Sequence, residues 1–418
     1  MSILLVTTEP VPLFPGMACT GAGLRAWGLA EGLRGKGFDV ELAMASDAMT
    51  LVPPDLRERV APFLFERSGL TEHVRSRKPD IVVMQHWGLM DRLGEVGCPL
   101  AIDLAGPHLL ERRAWGSETP ERDLEQKLDA LARTDFLTCS GHRQRLYFLA
   151  FAGQCGFDPT DPDLLPVIPF SVSPDLPSEP EDRENDTFAY AGFFLPWQDP
   201  SVAIGAALDT MEQRDKGRLR FIGGAHPAGD MAHGAFDAIL ERLTTSPRAS
   251  LEEPRPFDVL VQDLTRCGVA LDLMARNPER EMAFPSRTVV YLSCGLPVIT
   301  NDYDELSERI GQYEAGWRLD PTDGGAVARL VEELLRDPSQ VRERGDNARR
   351  LVRECLTWDR TVGPLADWCA TPSIRQNKAS ATHTSDDSRV RRLQQRLDEI
   401  SGRRLVRFSN WLRRMGLR

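Results

Sequence analysis

FPSRTVVYLSCGLPVITND, residues 284–302, is a short helix pattern with Ser286, Arg287 and Thr288 in its first turn, then Gly295, then an apolar strand. The backbone N–H groups of a first helical turn have no partner inside the helix, and the helix dipole makes that end attractive to negative charge. Two hydroxyls and a guanidinium placed there add donors aimed the same way, so phosphate is the expected guest. The structural alternative leaves Ser286 or Pro285 as a helix cap and Arg287 in solvent.

Outward from this unit, the chain repeats a strand–helix alternation that implies parallel sheets. It opens with SILLVTTEP (2–10), an apolar strand pattern broken by Pro10, and continues with TGAGLRAWGLAEGLRGKGFDVELAMAS (20–46), a glycine turn, an amphipathic helix and a second strand. A helix over 69–77, strands over 80–85 and 99–106, a helix over 123–133, a strand over 135–140, a helix over 142–152 and a last strand, LLPVIPF (164–170), complete one doubly wound α/β domain, residues 1–170. Residues 171–187, SVSPDLPSEPEDRENDT, are rich in Pro, Ser and acid without apolar periodicity and read as an exposed hinge. A second set follows over 188–372, with strands expected at 188–194, 219–224, 267–274 and 316–320, helices at 200–211 and 326–336, and a helix within 251–266. The fold class is therefore α/β, with two Rossmann-like domains whose sheet ends can face a common cleft.

Composition narrows the function. The 418 residues carry 62 Asp and Glu against 51 Lys and Arg, which argues against a nucleic-acid binder that relies on a basic surface. The charge is uneven: residues 373–418 hold 12 basic and 4 acidic residues (+8), leaving −19 on residues 1–372. Eight scattered cysteines form no C-x-x-C pair and no Cys/His cluster at zinc spacing, so they read as reduced core thiols, and no metal site is expected. The N-terminus lacks a basic n-region and no run of 18 apolar residues occurs, so a cytoplasmic location is expected.

Catalytic candidates are sought at the carboxyl ends of the N-terminal strands. Asp103 is a carboxylate inside an apolar strand, which costs energy unless it is paired or used. His86 follows IVVMQ directly, and His108 lies near Glu111 just beyond AIDLAGP. A salt bridge for Asp103 and a helix-capping role for His108 stand as alternatives. The loop PGMACTGAG (15–23) lets backbone approach a ligand at Gly21 and Gly23, or is an ordinary strand-to-helix turn. His226, in GGAHP, falls at a strand's carboxyl end and could contact phosphate or base, or be fixed as a turn before Pro227.

GAGLRAWGLAEGLRGKGFDVELA (21–43), LLPVIPFSV (164–172) and YLSCGLPVIT (291–300) together resemble the GT-B glycosyltransferases, in which two Rossmann-like domains close over an activated sugar nucleotide. The resemblance implies a C-terminal domain that holds a nucleotide diphosphate sugar and an N-terminal domain that holds the acceptor. The family-4 enzymes sharing CGLPVI usually carry glutamates where this chain has Val290 and Met282, and Arg and Lys where it has GFFLPWQDP (192–200). Trp197 and Asp199 in that segment are similar to glycosyltransferases of bacterial polysaccharide clusters. The expected activity is transfer of a hexose-like unit to a glycan, lipid-linked or surface polysaccharide acceptor, without a bound metal or other cofactor. A nucleotide-sugar epimerase of the same fold and a non-catalytic partner subunit are the alternatives.

The tail, VRRLQQRLDEISGRRLVRFSNWLRRMGLR (390–418), places Leu405, Phe408, Trp411, Leu412 and Met415 on one stripe among arginines. Such a basic amphipathic helix suits an anionic membrane surface, so residues 388–418 are expected to hold the protein peripherally at the inner face of the cell membrane. A helix docked on the acidic body, or a short coiled coil, would show the same pattern.

Overall fold

Ile3, Leu4, Leu5 and Val6 are each at most 1% exposed, as a strand covered by helices on both faces requires. In the computed structural model, which describes residues 1–224, 235–376 and 378, they belong to the first of two all-parallel sheets. The N-terminal sheet comprises β1 (Ser2–Thr7), β2 (Asp39–Ala45), β3 (Leu64–Phe65), β4 (Ile81–Gln85), β5 (Leu100–Leu104) and β6 (Phe136–Cys139), ordered β3-β2-β1-β4-β5-β6. The C-terminal sheet comprises β7 (Glu184–Phe193), β8 (Arg218–Gly224), β9 (Ala249–Glu252), β10 (Cys267–Asp272), β11 (Val298–Asn301) and β12 (Gly316–Leu319), ordered β12-β11-β10-β7-β8-β9. Counted from its own first strand, each sheet runs 3-2-1-4-5-6, the doubly wound order that reverses direction beside its first strand and opens a crevice there.

Most expected elements lie within a few residues of those observed. LLPVIPF is the exception: it forms only an isolated bridge, Val167 to Cys139. Pro166 and Pro169 have no N–H to donate, so the pairing cannot propagate into a seventh strand. β7 begins at Glu184, inside the segment read as hinge. The stretch 251–266 divides between the end of β9 and the helix Phe257–Thr265. Helices Ala235–Thr245, Glu305–Tyr313 and Ser339–Cys355 had no counterpart in the periodicity reading.

Each sheet buries a hydrophobic cluster on either face. The chain crosses between domains twice, and the crossings run side by side, with Val172 N–H donating to the Leu356 carbonyl (3.0 Å) and Trp358 N–H to the Val172 carbonyl (3.0 Å). After the second crossing, helix Gly363–Ala370 returns to the N-terminal core. There Leu365, Trp368 and Cys369 pack with Ile3 and Leu33, and the Trp368 indole stacks on Phe136 at 4.8 Å. All eight cysteines are free.

Candidate functional site

At the crevice, two helices from different domains point their N-termini at each other. Helix Ser286–Ser293 follows Pro285, which offers its first turn no side-chain cap, so that turn's amides stay available. Opposite stands helix Gly21–Gly35, capped at Thr20, whose hydroxyl accepts from Gly23 N–H (3.1 Å) and donates to Glu9 Oε2 (3.0 Å). A Cβ built on Gly21 would lie 2.7 Å from Ser286 Oγ, so a larger residue there would have to displace the Ser286 hydroxyl. Gly23 serves packing, since a Cβ there would meet the Pro10 carbonyl oxygen at 1.9 Å. Of the glycine-loop candidates, Gly21 is the one at the cleft.

Arg287 and Thr288 are not solvated donors. Arg287 donates to Tyr190 Oη (2.6 Å) and Gln198 Oε1 (2.8 Å), lies 3.6 Å from Asp272 Oδ1, and has 15% of its side chain exposed. Burial works against its charge, and the neighbouring Tyr190 and Asp272 more than restore it, so its pKa lies above the ordinary arginine value. Gly192, at φ +149°, makes the arrangement possible: a Cβ there would lie 2.5 Å from Nη2. Thr288 is fully buried and donates to Asp272 Oδ2. Of the three, Ser286 is the one that meets the other domain, at Gly21, while the Arg287 guanidinium is held on Tyr190 and Gln198. Tyr190 and Asp272 escape the sequence reading, and Gln198 enters it only within the segment that lacks the family's Arg and Lys, although Asp272 carries the signal used for Asp103, a carboxylate in an apolar strand.

Asp103 belongs to the core. Its carboxylate receives Arg25 in a two-pronged pair (Nε to Oδ2, 3.0 Å; Nη2 to Oδ1, 2.8 Å) and the Thr138 hydroxyl (2.8 Å), with a side-chain exposure of 0%. The structure thus takes the salt-bridge alternative, and the carboxylate has no route to a substrate.

His86 and His108 come together, ring centroids 4.0 Å apart. His86 holds a left-handed backbone (φ +82°) and accepts Gly88 N–H at Nδ1 (2.9 Å), which leaves the proton on Nε2. Burial, followed by the charges of His108, Lys127 and Arg112, holds its pKa well below the usual histidine value, so the ring is neutral at pH 7. His108 Nδ1 lies 2.7 Å from Glu111 Oε2, an i,i+3 pair that orients the imidazole. Beside them, Trp115 reaches Trp197 of the other domain at 5.0 Å. The buried Glu279–Arg280 pair sits on the short helix Pro278–Met282, which packs against His108–Ala114. His226 and the 388–418 tail lie outside the described residues. Among the described residues no group of three or more His, Cys, Asp or Glu could hold a metal ion, and no helix is long and apolar enough to cross a membrane.

No protein-family model matches the chain, and no curated protein does. Solved structures do. A sucrose-phosphate synthase from Thermosynechococcus elongatus shares 17% identity at a TM-score of 0.63, over 89% of this chain and 100% of that one. HepE from Anabaena, in complex with UDP-glucose, shares 14% identity at 0.63 over 89% and 100%. An α-glucosyltransferase in complex with UDP shares 10% identity at 0.60 over 88% and 99%. At these identities the likeness establishes the fold: the chain has the GT-B architecture, two Rossmann-like domains facing a cleft.

Proposed function

We propose that the protein is a glycosyltransferase that moves a hexose-like unit from a nucleotide diphosphate sugar to a glycan or lipid-linked acceptor. The observation that carries this is the meeting of Gly21 and Ser286, two helix N-termini from opposite domains at the carboxyl ends of both sheets. A departing diphosphate needs its developing charge stabilised, and preorganised amides do this without reorganisation when the bond breaks. The Arg287 guanidinium, held by Tyr190 and Gln198, adds a fixed positive charge behind the Ser286 turn.

On the acceptor side, His108 with its Glu111 partner stands ready to take or hold a hydroxyl proton, and the neutral His86 beside it is a hydrogen-bond donor. Trp115 and Trp197 supply aromatic faces suited to a sugar ring, beside charged pairs suited to its hydroxyls. The acidic body disfavours nucleic acid as acceptor. The basic stripe of 388–418 favours an acceptor held at the cytoplasmic face of an anionic membrane, and with it a role in polysaccharide assembly.

The test is a panel of nucleotide sugars scored by thermal stabilisation, starting with UDP-glucose. A ligand at 100 times its dissociation constant adds about 2.7 kcal/mol of stability. A shift with one sugar nucleotide, and product formed only with an acceptor, supports transfer. Product formed without an acceptor makes the protein an epimerase, and no shift with any nucleotide overturns the proposal.

A further inference from the structure

Past helix Gly363–Ala370 the chain stays on the N-terminal domain, and its described part ends there in a firm anchor. Arg375 lies where helices Pro120–Ala132 and His142–Gln154 both finish: its guanidinium donates to the Ala132 carbonyl (2.6 Å) and the Cys155 carbonyl (2.6 Å) and stacks over the Phe157 ring at 3.9 Å. The last carbonyls of a helix lack partners inside it and form its negative pole, so an arginine there is held both by hydrogen bonds and by charge. Asp135 completes the anchor, accepting from Arg375 N–H (2.9 Å) and Lys378 Nζ (2.8 Å) with its own side chain fully buried. Because Asp135 stands just before β6, residues 379–418 set out from the amino ends of the strands, the side of the sheet away from the crevice.

Helix Pro120–Ala132 leads back from this point toward the crevice. It begins a few residues after Trp115, which meets Trp197 of the other domain. Its outer face carries Leu124, 37% exposed, and the half-buried Leu128 one turn on, bordered by the exposed Glu121 and Glu125. Residues three and four apart share a helix face, so these four side chains form one strip, apolar along its middle and acidic at its edge. Glu118, just before the helix, and Asp129 extend the negative charge, which outweighs that of Arg122, the one exposed cation of the helix.

The sequence beyond Lys378 complements this strip. Val390, Leu393, Leu397 and Ile400 recur at three- and four-residue spacing, and the surrounding Arg389, Arg391, Arg392 and Arg396 outnumber Asp398 and Glu399. The lengths agree as well. Residues 379–389 can span roughly 36 Å when extended, and a helical stripe over 390–400 covers about 16 Å, against about 20 Å for the 13 residues of helix Pro120–Ala132.

We propose that residues 389–400 dock on the outer face of helix Pro120–Ala132, running antiparallel to it, with Leu393 and Leu397 over Leu128 and Leu124 and the arginines beside Glu121, Glu125 and Asp129. Docking returns the chain from the far side of the sheet to the rim where Trp115 stands, and presents residues 405–418 there. Apolar contact supplies the affinity and charge sets the register, whatever the cleft itself binds.

Amide exchange on the full chain tests this directly. Residues 390–400 are expected to exchange at least tenfold more slowly than the same sequence as a free peptide, in dilute and concentrated protein alike. Glu121→Lys/Glu125→Lys should remove most of that protection, and adding Arg389→Glu/Arg392→Glu/Arg396→Glu should restore it, because the swap re-creates opposite charges across the contact. β1 and β4 should keep their protection in every variant, which separates loss of docking from loss of fold. Free-peptide rates at 390–400 in the unmodified chain would overturn the proposal. So would protection that survives Glu121→Lys/Glu125→Lys, since the segment is then held elsewhere. Protection that develops only as the protein is concentrated would overturn it too, by assigning the strip to the tail of a second copy.

Discussion

Asp103→Asn should cost the fold much more than it costs any chemical step. The side chain is fully buried and its two oxygens meet Arg25 Nε at 3.0 Å and Nη2 at 2.8 Å, with Thr138 donating to the second oxygen at 2.8 Å. Asparagine keeps one acceptor but turns an amide NH₂ toward a guanidinium N–H, and Arg25, whose side chain is only 4% exposed, is left as an uncompensated charge. Breaking a buried pair from one side costs about 3–5 kcal/mol. For a domain of this size, each kcal/mol lowers the melting temperature by about 2–4 °C, so a fall on the order of 10 °C is expected. Arg25 also donates to the Pro169 carbonyl (2.8 Å), so the loss should loosen the segment that leads into the hinge. The measurement is urea unfolding followed by tryptophan fluorescence, on Asp103→Asn and on the double variant Arg25→Met/Asp103→Leu. The double variant should recover most of the lost stability, because apolar replacement of a whole buried pair is often neutral or better. An Asp103→Asn protein of normal stability with greatly reduced turnover would refute this reasoning and return the carboxylate to the catalytic list.

Four further outcomes are expected. Lys127 is fully buried, its Nζ lies 3.8 Å from the Phe151 ring centroid with no hydrogen-bond partner among the described residues, and burial pushes its pKa down to about 7. Between about pH 10 and 7 the unfolded chain therefore holds a proton that the folded chain lacks, so stability falls as pH drops through that window and levels off below about 7. Lys127→Met should raise stability at pH 7 by a few kcal/mol, offset in part by the lost ring contacts, and should flatten that slope in denaturant titrations at pH 6, 8 and 10; a wild-type difference that does not change with pH would exclude it. Arg287→Ala should weaken nucleotide diphosphate binding measured by calorimetry and also lower the melting temperature, since it strands Asp272 and the Tyr190 hydroxyl. Undiminished affinity would remove the fixed charge from the phosphate site. Trp115→Ala should raise KM for the acceptor with little change in donor affinity, and Trp115→Phe should recover much of the loss; a change confined to the donor would move this residue out of the acceptor site. Deleting residues 388–418 should abolish binding to anionic vesicles at low salt and leave nucleotide affinity intact, whereas dissociation of an oligomer on deletion would make the tail an assembly segment.

Two doubly wound domains were legible in the sequence because strand burial and helix amphipathicity are local consequences of residue order: ILLV, IVVM and PVIT say strand wherever they lie. The same holds for Gly21 and Ser286 as the starts of helices at strand ends, and for the departure of this chain from a glutamate at Val290. Local order cannot say which polar groups meet. Asp103 looked like a carboxylate awaiting work because its partner Arg25 is 78 residues away, on a helix that packs against β1 and β2. Arg287 looked like a donor free to meet phosphate because Tyr190 and Gln198, 97 and 89 residues earlier, come to it only when β7 lies beside β10. Glu305 gave no signal at all, since a glutamate in a first helical turn is ordinary until another domain's helix begins against it. Secondary structure follows from neighbours along the chain, but a buried charge is stable only with a partner in space, so tertiary packing alone decided which charged residues hold the fold together and which are left to face the cleft.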